Sequence, residues 1–159
     1  MNYPYNIIKI ILMIVIGMVL TILPLPAMVV WFRPSWMLMI LVFYLLMFPT
    51  EINLGIFWIV GLLMDLLTGT LLGLHAFLYT VIGYLMIRFL SRLPMFSLWQ
   101  QSFLWVFISF IYFFIQYLML GMIGQLPHTW EYWMPILFNA VLWPWLFLFL
   151  RSFFKLLYD

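Results

Sequence analysis

The stretch Gly55 to His75, GIFWIVGLLMDLLTGTLLGLH, is an apolar run holding one carboxylate, Asp65, and breaking at Gly69-Thr70-Leu71-Leu72-Gly73. No neighbour in sequence offers Asp65 a cation. In hydrocarbon a mid-helix Asp costs about 2.5–3.5 kcal/mol, so such a residue faces a bundle interior or a polar cavity. Composition decides that hydrocarbon is the relevant solvent. Only ten of 159 residues are charged, six Lys/Arg and four Asp/Glu, and 69% are hydrophobic. A soluble domain carries roughly 25% charged residues, so this chain cannot solvate a globular surface. The class is an all-α integral membrane protein, one domain over residues 1–159. A transmembrane β-barrel would need alternating polar and apolar residues, and that pattern is missing.

The chain has no cysteine, which removes disulfides, thiol chemistry and Cys-based metal sites. Its net charge of +2 is too small for a nucleic-acid partner. Six spans are expected, at about 7–24, 36–48, 52–67, 74–89, 98–122 and 135–150. The first is read as an uncleaved span, because Leu25 and Ala27 match a small-x-small cleavage site poorly. Pro24, Pro26 and Pro34 punctuate the first connection, with Trp31 and Trp36 suited to the membrane interface. Pro49-Thr50-Glu51 stops the second span, and Ser91, Arg92 and Pro94 mark the connection after the fourth. Spans two and three fall short of the ~20 residues that cross ~30 Å of hydrocarbon. Either they borrow flanking residues or the bilayer thins around them.

With six spans both termini share one side, together with Lys9, Arg88, Arg92, Arg151 and Lys155; only Arg33 lies opposite. The positive-inside rule then places both termini in the cytoplasm. The longest polar connection, around Gly124–Glu131, leaves no room for a soluble domain, so partners are met mainly by lateral packing of spans.

Candidate residues are few. Asp65 is either a proton or cation relay, or a structural carboxylate accepting bonds from the Thr68–Gly73 backbone or from Arg33. Gly69 and Gly73 have the GxxxG spacing that lets helix backbones approach; with Thr68 and Thr70 beside them, a turn needing glycine's φ freedom is the preferred reading. His75 reads as a span-end residue with its polar tip at the interface, and His128 as a loop residue. No metal site can be assembled from two histidines and scattered acids. A GxSxG elbow and a second membrane carboxylate are also missing, Glu51 and Asp159 being a connection and a tail residue, so no enzyme activity is expected. Gln116, Asn139 and Ser109, with the small residues Gly17, Thr21 and Gly83, read as helix-packing groups. Trp143-Pro144-Trp145 begins eight residues before Arg151, about 12 Å up the helix. A kinked aromatic surface for another helix and ordinary bundle core both fit it.

Four strings recur together: Phe32-Arg33-Pro34-Ser35-Trp36, Asp65-Leu66-Leu67-Thr68-Gly69-Thr70-Leu71-Leu72-Gly73, Leu98-Trp99-Gln100-Gln101 and Asn139-Ala140-Val141-Leu142-Trp143-Pro144-Trp145. In this order and spacing they resemble the rod shape-determining MreD family of Gram-negative rods, over nearly the whole chain. The resemblance implies a non-enzymatic inner-membrane scaffold of the cell-wall elongation machinery, supporting rod shape and peptidoglycan synthesis. Its direct partner would be the single-span MreC. MreB, RodZ, RodA and RodA's partner transpeptidase would belong to the same assembly, with membrane lipids around it and no cofactor. The resemblance also implies a six-span bundle with short broken helices, similar to the substrate-binding subunits of energy-coupling-factor transporters. That likeness raises an alternative, a carrier or binding subunit for a small or lipid-linked molecule. Residue chemistry nominates Gly69, Gly73, Trp143, Pro144 and Trp145 for partner contact, and Arg33, Asp65, Gln116 and Asn139 as buried polar or structural residues.

Overall fold

The computed structural model describes residues 3–26, 32–50, 52–89 and 96–158. Trp31, Glu51, Ser91, Arg92, Pro94 and Asp159, read above as interface, connection or tail residues, lie outside them, as do the side chains of Lys9 and Lys155. The described residues hold six α-helices: α1 (Tyr3–Ile22), α2 (Trp36–Met47), α3 (Leu54–Thr68), α4 (Leu74–Phe89), α5 (Leu98–Met122) and α6 (Met134–Tyr158). A 3-10 helix, Trp130–Trp133, leads into α6. No strand occurs among the described residues.

Local chemistry sets the ends. α1 stops at Ile22, two residues before the expected end, because Leu23 precedes Pro24 and is disfavoured in helical geometry. α3 begins two residues late because Asn53 is its N-cap, its Oδ1 accepting from the Ile56 N–H at 3.2 Å. Gly69, at φ 66°, closes α3 in the left-handed conformation. At the start of α5 the Gln100 side chain accepts from the Ser97 N–H at 3.0 Å. α6 runs past the expected end at Leu150, because Arg151 and Lys155 mark a membrane boundary and are also good helix formers. It passes through Pro144, which has no N–H to give the Ala140 carbonyl.

The chain divides into two compact units, Met1–Pro26 with Ser35–Ser91, and Ala27–Pro34 with Arg92–Asp159. In the first, α2 is apolar on every face, and Met37 to Leu45 are all buried. α3 and α4 form a tight hairpin. A Cβ on Gly61 would lie 2.3 Å from the Ala76 Cα, so glycine is what permits this approach. Gly83 sits against the Phe57 ring and Gly17 against Met37, the packing role expected of both. In the second unit α5 packs along α6, with Trp105 and Trp143 meeting at 4.6 Å between ring centroids.

Large apolar side chains are exposed on every long helix whose surface is described. α5 exposes Trp99, Phe103, Phe107, Phe110, Phe114, Leu118 and Met122 at helical spacing. A continuous apolar face of this kind is not compatible with water. α5 and the segment Trp130–Phe153 are long and apolar enough to cross a membrane; the other helices are apolar but shorter. The protein is an all-helical membrane protein.

Candidate functional site

In the hairpin of the first unit, the turn after α3 brings the start of α4 back over Asp65, whose residue is only 1% exposed. The carboxylate accepts from the backbone N–H of Gly73 (Oδ2, 2.8 Å), of His75 (Oδ1, 2.9 Å) and, at longer range, of Ala76 (Oδ2, 3.4 Å). These are donors of the first turn of α4, which has no preceding helical carbonyls to use. Thr70 Oγ1 donates to Oδ1 at 3.0 Å, and His75 Nδ1 lies 2.8 Å from the same oxygen. Asp65 therefore caps the next helix from across the hairpin, held at the positive end of its dipole. Among the described residues His75 Nδ1 lies within ion-pair distance of the carboxylate.

The expectation for His75 is corrected accordingly. Its ring is folded inward on Asp65 instead of resting with its tip at the interface, and the residue is 9% exposed. Since an oxygen that already accepts from Thr70 and a backbone N–H must also accept here, Nδ1 carries the proton. Thr70 Oγ1 lies 3.2 Å from that same Nδ1. A hydroxyl nucleophile needs the opposite ring nitrogen as base while the acid holds Nδ1. Asp65, His75 and Thr70 thus collect the residue types of a hydrolytic triad in an order that cannot activate the hydroxyl. No group of three or more metal-ligating side chains occurs among the described residues.

Gly69 and Gly73 are in the turn, at φ 66° and 99°, and not on a helix face. A Cβ on either would meet nothing within 4 Å. Their spacing serves the turn, and the helix-approach reading of GxxxG fails for that reason. The close approach belongs to Gly61, four residues before Asp65 and on the same face of α3, a spacing that could have signalled it.

In the second unit, polar pairs pin α5 to its neighbours. Asn139 is fully buried, and its Nδ2 donates to Ser109 Oγ at 3.1 Å. Trp143 Nε1 donates to Gln101 Oε1 at 3.1 Å, and Gln101 Nε2 donates to the Phe96 carbonyl at 3.2 Å. Tyr132 OH lies 2.9 Å from the Phe113 carbonyl and 3.3 Å from Gln116 Oε1, with Gln116 half-buried. Arg33 is half-buried as well. Gln101 was not anticipated; its signal is its position one and two helical turns before Trp105 and Ser109 on the buried face.

The Trp-Pro-Trp string splits by face. Trp143 is 1% exposed and packed on Trp105, which removes it from any outward surface. Trp145 is 75% exposed, and Pro144 is half-buried. These two help line an apolar groove of about 490 Å³ between α5 and α6, with Leu98, Ser102, Ala140 and Val141 among its other walls.

The family model described as rod shape-determining protein MreD matches residues 2–153. A curated rod shape-determining protein MreD from Haemophilus influenzae is 30% identical over 138 residues, covering 87% of this chain and 85% of its own. No solved structure matches. The chain belongs to the rod shape-determining MreD family, whose role is in determining cell shape.

Proposed function

We propose that the protein is a non-enzymatic, multi-pass scaffold of the bacterial inner membrane with both termini in the cytoplasm, and that it binds the single transmembrane helix of MreC. Through that pair it supports peptidoglycan synthesis by the elongation machinery, in an assembly with MreB, RodZ, RodA and RodA's partner transpeptidase. The observation that carries this reading is the α5–α6 groove. It opens sideways along two full-length apolar helices, where a membrane partner would arrive. Its lining includes the small residues Ala140 and Ser102, which permit close helix approach. At Pro144 the Ala140 carbonyl is released from α6's own hydrogen bonds.

Co-expression and detergent co-purification with MreC tests this. A stoichiometric complex is expected for the native chain. Val141→Trp, at a position 68% exposed on the groove wall, fills the groove from outside and should cut recovery of MreC at least about tenfold. Undiminished recovery with Val141→Trp would remove the groove from the account. The alternative of a binding subunit on an energy-coupling-factor-like fold draws on Asp65, but that carboxylate is already engaged by the α4 N-terminus. Ligand-dependent thermal stabilisation lost in Asp65→Asn would favour it.

A further inference from the structure

The α3–α4 hairpin and α5 offer the bilayer different heights of apolar surface. On α3 the exposed stretch runs from the cap Asn53 to Thr68, and both ends are chemically closed. On α4 it runs from the turn at Gly73 to Arg88, which is exposed in the last turn. Each stretch covers fifteen residue steps, about 22 Å at 1.5 Å per residue. On α5 the exposed face runs without an exposed polar residue from Phe103 to Met122, about 28 Å. The hydrocarbon core of a typical bilayer is about 30 Å.

The hairpin cannot easily extend into the difference. Residues 69–73 are an irregular turn with two left-handed glycines and with exposed Thr70 beside exposed Leu71 and Leu72. Lipid-exposed irregular backbone does not occur within hydrocarbon, so this turn marks a water boundary. Asp65 reinforces that boundary, because it ties the turn to the first turn of α4 instead of leaving the chain to run on as helix. Tilting the hairpin would shorten its projected height further.

We propose that the exposed α3–α4 face is a bilayer-thinning surface, matched to a hydrocarbon layer of about 22 Å. Its partner is lipid with short or disordered chains, gathered on that face because mismatch with ordinary lipid costs free energy along its whole width. This rests on the multi-pass reading above and adds a local thickness to it. Partner spans of similarly short apolar length would be sorted to the same face by the same mismatch.

The chain has no native cysteine, so single spin labels can be placed directly. The full chain, reconstituted in dioleoyl phosphatidylcholine vesicles, is labelled at Leu72, Phe77, Tyr84 or Ile87 on the hairpin and at Phe103, Phe110 or Leu118 on α5, all exposed positions. Power saturation with oxygen and with an aqueous nickel chelate gives the depth of each. The proposal expects Leu72 and Ile87 both within reach of the chelate, and a greatest depth of about 11 Å between them, half the 22 Å stretch. On α5 the greatest depth should reach about 15 Å, half an ordinary hydrocarbon core. Leu72 and Ile87 shielded from the chelate, with about 15 Å between them as on α5, would overturn the thinning while leaving the spans in place. Full chelate access at all four hairpin positions would overturn both the thinning and the multi-pass reading.

Discussion

Asp65→Asn is the sharpest perturbation of the hairpin, because it changes hydrogen-bonding capacity at constant shape. The carboxylate takes three backbone donors and two side-chain donors on two oxygens. An amide replaces one oxygen with an NH₂. Turned toward Gly73 and Ala76, the nitrogen faces two N–H groups and orphans both; turned the other way, it opposes Thr70, the His75 N–H and His75 Nδ1. A buried donor without an acceptor costs about 1–3 kcal/mol, and loss of a helix cap about 0.5–2 kcal/mol. Removing a buried charge returns part of its desolvation cost. The net expectation is a loss of about 2–4 kcal/mol. At about 2–4 °C per kcal/mol for a chain of this size, the unfolding midpoint should fall by about 4–16 °C. Thr70→Val supplies the internal scale: it removes one donor of five and should cost about 0.5–1.5 kcal/mol. Thermal unfolding in detergent, followed by circular dichroism, measures both. An Asp65→Asn midpoint equal to or above the native one would refute the cap, since it would mean the carboxylate is a burden the hairpin does not need.

Other expectations follow from the same packing. Gly61→Ala puts a methyl into the α4 backbone at Ala76 and should destabilise by about 1–3 kcal/mol as overpacking, seen as a lower midpoint in the same assay. Gly73→Ala meets no atom but must hold φ 99°, costing about 1–2 kcal/mol through backbone strain alone; MreC recovery should be unchanged once the fold is retained. Trp143→Phe keeps a ring against Trp105 but orphans Gln101 Oε1, and should lose about 1–3 kcal/mol. Adding Gln101→Leu should recover part of that in a double-mutant cycle.

The helices were largely legible, and the pairings were not. α4 and α5 stand where the break at Gly69 to Gly73 and the apolar spans expected at about 74–89 and 98–122 put them. The end of α6 was misplaced because hydropathy reports where a chain leaves hydrocarbon, not where its backbone stops being helical. Asp65 was recognisable as a buried carboxylate needing partners, since its cost in hydrocarbon is general. That His75 supplies two of them depends on how tightly the five-residue turn 69–73 closes, which spacing alone does not fix. The orientation of Trp143 was hidden for a different reason. In lipid both faces of α6 are apolar, so the pattern that tells inside from outside in water is absent. Its link to Gln101 spans 42 residues and exists only once α5 and α6 pack.

The scaffold account stands most directly on which surface meets MreC. A photo-crosslinking residue at Val141 on the α5–α6 groove, and in a second protein at Phe77 on the exposed α4 face, would be irradiated in cells making both proteins. The account predicts an MreC adduct from Val141 and none from Phe77. An adduct from Phe77 with none from Val141 would contradict it and move the partner surface to the hairpin.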